Sequence, residues 1–186
     1  MKIFKSIKCW IFDLDNTLYS GKTKVFEQVD RKMSKYISEK LQVSVEKARK
    51  IQKSYFYEYN TTLNGMIKNH KIDADEFLEF VHDVDLNFLK KDDYLKEQIS
   101  KLDGKKIIFT NGSKAHASNV TSRIGIEQLF DSVWNGKDGE KGLMPPKGLC
   151  NLCSEAEIRE SVLYIFHLAR KVQSAKKSKL PNNSNL

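Results

Sequence analysis

Long apolar runs are missing from this chain. No segment approaches the ~18 consecutive apolar residues that cross a bilayer, and Cys9-Trp10-Ile11-Phe12 is too short for the core of a signal peptide. The chain is therefore expected to be cytoplasmic, with no membrane partner. Cysteine is scarce too: three in 186 residues fits a reducing compartment rather than a disulfide framework. Cys9 lies in an apolar stretch and reads as packing. Cys150 and Cys153 have the spacing of half a zinc site, but no second pair or His-x-x-x-His follows, so neither metal nor redox chemistry is expected of them. Acids are lacking from residues 167–186, where Arg170, Lys171, Lys176, Lys177 and Lys179 supply five of the eight excess positive charges. Rich in Ser and Asn and without interleaved aromatics, that tail reads as solvated and disordered, not as a nucleic-acid arm.

What is present is the profile of a globular chain, 40% hydrophobic and 30% charged, long enough for one buried core with a small insertion but not for two full domains. The stretch around which it is organised is Trp10-Ile11-Phe12-Asp13-Leu14-Asp15-Asn16-Thr17-Leu18-Tyr19, an apolar run that stops at two carboxylates. In an extended strand Asp13 and Asp15 would share a face at the carboxyl end, where open α/β sheets put their ligands. Two carboxylates this close repel unless a cation or a shared proton offsets them, so the pair reads as a magnesium-assisted site or as an acid/base pair.

Downstream the period changes to helical. Val25, Val29, Met33, Ile37 and Leu41 form one stripe, and Ser44 caps a second helix that ends in Tyr55-Phe56-Tyr57-Glu58-Tyr59, read as core. After a break at residues 60–65 and a short helix to Lys68, Asp73 and Glu76 have the spacing of a capping box for a third long helix through Phe77, Phe80, Val81 and Val84. Lys105–Gly112 then reads as a strand with a polar end, residues 113–124 as a helix capped by Gly125, and Leu129–Trp134 as a third strand. The order predicts an α/β fold: a doubly wound parallel sheet whose core (residues 1–19 and 96–166) receives a helical cap (residues 20–95), followed by the basic tail (residues 167–186).

Phe12-Asp13-Leu14-Asp15-Asn16-Thr17-Leu18 resembles the first motif of the haloacid dehalogenase superfamily at every position. The resemblance implies an aspartyl nucleophile at Asp13, a general acid/base at Asp15, Mg2+ held by Asp13 and Asp15, and phosphate binding by Thr110 with Asn111 and Gly112. Three further stretches, Tyr57–Met66, Phe80–Leu86 and Ile108–Ala117, resemble the pyrimidine 5′-nucleotidase branch, which implies a nucleoside 5′-monophosphate as small-molecule substrate, with Thr61, Thr62 and His82 near it. The family's lysine falls nearest Lys147, although here it follows the proline pair.

The likeness stops in the last third. Val162–Phe166 reads as a fourth strand, but His167-Leu168-Ala169-Arg170-Lys171 stands where the family's last pair of acids is expected. A frameshift near residues 140–146, or divergence, would account for that. The alternative function is then a degenerate, inactive protein that binds a phosphorylated ligand without turning it over.

Overall fold

A computed structural model of the protein describes residues 7–135. Three parallel strands, β1 (Cys9–Phe12), β2 (Lys105–Thr110) and β3 (Ser132–Asn135), form a sheet in the order β1-β2-β3. In β1 and β2 the covered positions are mostly apolar: Trp10, Phe12, Ile107 and Ile108 are buried. The register pairs Phe12 with Ile108 and Thr110 with Asn135, so the carboxyl ends of all three strands share one edge. The mixed α/β class read from the order of periods is the observed one.

Between β1 and β2 run α1 (Val25–Leu41), α2 (Val45–Tyr59), α3 (Thr62–His70), α4 (Ala74–His82) and α5 (Asp93–Ser100); α6 (Lys114–Ile124) joins β2 to β3. All of them except α1 start at a side-chain cap. Ser44 accepts the Lys47 N–H, Asp73 the Glu76 N–H and Ser113 the His116 N–H, each satisfying a donor that the helix leaves over. Gly125 ends α6 at φ 80°, a left-handed cap that a Cβ would strain. No helix among the described residues is long and apolar enough to cross a membrane.

Two buried clusters hold these elements. One surrounds the sheet, joining Trp10, Phe12 and Leu14 to Ile108 and the inward face of α6, Val120 and Ile124. The other lies among α1–α4 and includes Val29, Ile37, Met66, Phe77 and Val81. Helix α1 contributes to both, through Val25 and Val29. Its outer turn is clamped to the segment after α4 by Gln28, whose amide donates to the Asp85 carbonyl at 2.9 Å and accepts the Asp85 N–H at 3.0 Å. Packing between α2 and α3 is closest at Gly65, where an added Cβ would lie 2.4 Å from Tyr55.

Several local expectations change. Helix α4 stops at His82 rather than Val84, because the Val84 N–H bonds the His82 carbonyl at 2.9 Å across Asp83 (φ −72°, ψ 77°), an inverse γ-turn. The third strand begins at Ser132, since Glu127–Leu129 form a 3-10 turn first. The aromatic cluster that ends α2 is not core: Phe56 and Tyr57 are 57% and 82% exposed, and only Tyr55 packs on the α1–α4 cluster. The fourth strand at residues 162–166, the basic tail and the frameshift region all lie outside the described residues.

Candidate active site

Strand β1 ends at Phe12, and the chain turns at once. The Leu14 carbonyl collects the N–H groups of Thr17 (3.2 Å) and Leu18 (3.0 Å), while Asn16 takes a left-handed φ of 60°. Asn adopts that conformation at low cost. Asp15 thus stands in a turn, not in an extended strand, and the same-face argument drawn from strand alternation is corrected accordingly. Leu14 and Leu18, both buried, anchor the turn to the sheet cluster.

Each carboxylate is held at one oxygen. Thr17 Oγ1 donates to Asp13 Oδ2 at 2.7 Å. Tyr19 Oη and His116 Nε2 both donate to Asp15 Oδ1, at 2.6 and 2.9 Å. Among the described residues no other side chain donates to either carboxylate.

The neighbouring polar strand end completes the cluster. Thr110 is buried, and its hydroxyl oxygen accepts the Gly112 N–H at 3.0 Å, so its own O–H remains to be donated. A Cβ on Gly112 would lie 3.3 Å from both Thr110 Oγ1 and His116 Cδ2 and 3.4 Å from His82 Nε2, so three side chains converge where the backbone is bare. His82, the last residue of α4, stacks on His116 with centroids 4.3 Å apart and planes 17° from parallel.

The two carboxyls are driven in opposite directions. For Asp13, burial against protein is the largest influence; although Thr17 and the Leu14 N–H oppose it, burial and repulsion from Asp15 raise the pKa. At Asp15 burial also pushes upward, but the hydrogen bonds from His116 and Tyr19 oppose it, and the group is held below the usual carboxylate range. The Tyr19 phenol is pushed far up by burial and by Asp15, so it stays a donor. Burial, then His116, brings the His82 imidazole down to about 4.

That last shift gives a stability prediction. A histidine whose folded pKa lies below its unfolded value binds its proton more readily when unfolded. Stability is then complete above about 6.5 and is lost as the pH falls toward about 4. Denaturant unfolding at pH 7 and pH 5 should show a smaller difference for His82→Asn than for the wild type. Equal differences would contradict a buried, neutral His82.

With this geometry in place, comparison with known proteins becomes informative. The chain is 33% identical over 138 residues to Phosphate metabolism protein 8 of Saccharomyces cerevisiae, a match covering 68% of this chain and 42% of that protein. The chain spans less than half the length of that relative. No protein-family model matches it. A solved structure from Thermotoga maritima, described as a beta-phosphoglucomutase, aligns with a TM-score of 0.37 and 16% identity over 76% of this chain and 67% of that one. So distant a likeness adds nothing to the site.

Of the residues singled out from the sequence, Asp13, Asp15, Thr110, Asn111 and Gly112 stand at one edge of the sheet. Thr61 and Thr62 have local tasks: Thr61 caps α3 by accepting the Asn64 N–H at 3.1 Å, and the buried Thr62 hydroxyl donates to the Gln52 carbonyl at 3.2 Å. Neither bonds to the carboxylate cluster among the described residues. Lys147 and the position of the family's last acids lie outside them.

Two residues of the site were not given a role from sequence, Tyr19 and His116. A signal for each existed. Tyr19 follows Asp15 by four residues, the reach of a tight turn, and His116 falls on the same inward stripe of α6 as Val120 and Ile124.

Whether Mg2+ suits the site can be judged from the donors. Among the described residues no group of three or more His, Cys, Asp or Glu could hold a metal ion. Magnesium, however, is commonly bound by one or two carboxylates together with substrate phosphate and water. Asp13 is exposed at the strand exit and is repelled by Asp15, which is the electrostatic situation a cation relieves. Asp13 and the Asp15 backbone carbonyl are the groups that would hold it.

Proposed function

We propose that the protein is a phosphohydrolase acting on a small phosphomonoester, a pyrimidine nucleoside 5′-monophosphate, through an aspartyl-phosphate on Asp13. The observation that carries this reading is the pair of carboxylates at the sheet edge, each held by a side-chain donor, beside the polar end of β2. In the first step an Asp13 oxygen attacks phosphorus, the ester P–O bond breaks and the departing alkoxide is protonated through Asp15, which passes on the proton that the phosphate monoanion brings. In the second, Asp15 removes a proton from water as that water attacks the same phosphorus and releases Asp13. Thr110, Asn111 and Gly112 receive the phosphate oxygens, and bound Mg2+ supplies charge to neutralise them. Lys147 completes the charge balance in this reading.

Helices α1–α4 form the cap, covering the reaction from water and choosing the substrate. Both carboxylates are intact and ordered by donors, which does not favour the degenerate, ligand-binding alternative. Phosphate release from a panel of nucleoside 5′-monophosphates, with magnesium and with chelator, tests the reading. Metal-dependent release from pyrimidine nucleotides is expected. No release from folded protein would leave the non-catalytic alternative standing.

A further inference from the structure

Asp15 Oδ1 is gripped from two parts of the chain that are far apart in sequence. Tyr19, four residues on, donates from the turn after β1, and His116, 101 residues on, donates from the first turn of α6. His116 is 2% exposed, and its other ring nitrogen, Nδ1, is buried without a hydrogen-bond partner. A carboxylate only accepts, so Nε2 must carry a proton to make this bond. A neutral ring then leaves Nδ1 as a bare lone pair, which fits its lack of an acceptor. The plane of the ring is fixed from the other side by the stack on His82.

We infer that His116, together with Tyr19, is a positioning residue for Asp15: their shared grip on Oδ1 keeps Oδ2 turned to the oxygen that gains or loses the proton. The inference rests on the reading of Asp15 as the acid/base. The torsion that turns a carboxylate is broad and nearly two-fold, so an ungripped Asp15 would present either oxygen and would lose its aim. Two donors on the same oxygen remove that freedom. Proton transfer between positioned groups is sensitive to such aim, because the heavy atoms must stand within hydrogen-bond reach. A histidine that merely filled space on the inward stripe of α6 would need no donor, and its loss would act on stability alone.

The variants His116→Leu and His116→Gln separate these roles. Leucine keeps bulk and removes the donor; glutamine reaches about as far as Nε2 and restores an N–H. Two probes are used, uridine 5′-monophosphate, whose alkoxide must be protonated as it leaves, and p-nitrophenyl phosphate, whose phenolate leaves without a proton. His116→Leu is expected to lower kcat on the nucleotide roughly 100-fold, with KM within about 3-fold, but to lower kcat on p-nitrophenyl phosphate only several-fold. His116→Gln should recover most of the nucleotide rate, and Tyr19→Phe should show the same substrate contrast more weakly. Equal losses on both substrates, or no rescue by glutamine, would overturn the inference.

A second measurement does not depend on turnover. Nitrogen-15 NMR of the histidine rings should find His116 protonated at Nε2, and a bare Nε2 would overturn the inference even in an active enzyme. Failure of the phosphatase reading has a different signature, no turnover by the wild type or turnover that survives Asp13→Asn.

Discussion

Asp13→Asn is expected to lower phosphate release by roughly a thousandfold or more while leaving the fold at least as stable as the wild type. The two effects have one origin. Asp13 stands at the exit of β1 with burial and Asp15 both disfavouring its charge, so its pKa is raised. A raised folded pKa means that the ionised form is held at a cost: the folded state loses stability as pH rises through the ordinary carboxylate range, and the deficit persists at pH 7. Asparagine has nearly the same shape, its amide oxygen can still accept from Thr17 Oγ1, and it carries no charge to repel Asp15. It cannot, however, attack phosphorus.

Uncatalysed hydrolysis of a phosphate monoester is so slow that an enzyme must supply on the order of 20 kcal/mol or more of barrier reduction. In the mechanism proposed above, losing Asp13 as nucleophile removes the step that divides this barrier. A thermal melt and a phosphate-release assay on the same preparations test the prediction. A less stable Asp13→Asn protein would mean that the carboxylate is part of the structural framework; an active one would mean that the nucleophile lies elsewhere.

The part of the fold that was legible in sequence is the part that local chemistry dictates. Helices α1 and α2 were read from five apolar residues at helical spacing and from Ser44, because a cap and a stripe are local properties. Strand β2 was read from its apolar run bounded by Gly104 and a polar end. Where the reading failed, the deciding interaction was a rotation or a turn that composition does not carry. Tyr55 and Tyr59 stand four apart, their rings 5.6 Å from each other, and both are partly buried, while Phe56 and Tyr57 lie a quarter and half a turn round and face solvent. Aromatic density therefore overstated the core.

At the site, Asp13 and Asp15 were legible as a pair, but the turn made by the Leu14 carbonyl decides how they face. The Asp15–His116 bond spans 101 residues, beyond any rule of spacing. His82 was placed near the substrate by resemblance alone. Its stack on His116 arises because α4 ends where the Asp83 turn begins.

Trp10→Ala should be the most damaging substitution for stability, costing about 3–5 kcal/mol. Trp10 is 2% exposed in the cluster around the sheet, and its indole Nε1–H donates to the Asp103 carbonyl at 2.7 Å, tying β1 to the turn that starts β2. Truncation opens a large cavity beside Phe12 and Leu14 and leaves that carbonyl without its donor. Domains are stabilised by only ~5–15 kcal/mol, so a loss of this size leaves an appreciable unfolded fraction or none folded at all. Trp10→Phe distinguishes the two contributions: it keeps much of the ring but not the N–H, and should cost about 1–3 kcal/mol. Urea midpoints measured at constant slope give both values. Because Asp13 follows β1 directly, both substitutions should also reduce phosphate release in proportion to the folded fraction. A Trp10→Phe protein that is fully folded yet much slower would show that β1 positions Asp13 through the Asp103 bond, and a Trp10→Ala protein within about 1 kcal/mol of wild type would remove Trp10 as the anchor of the strand.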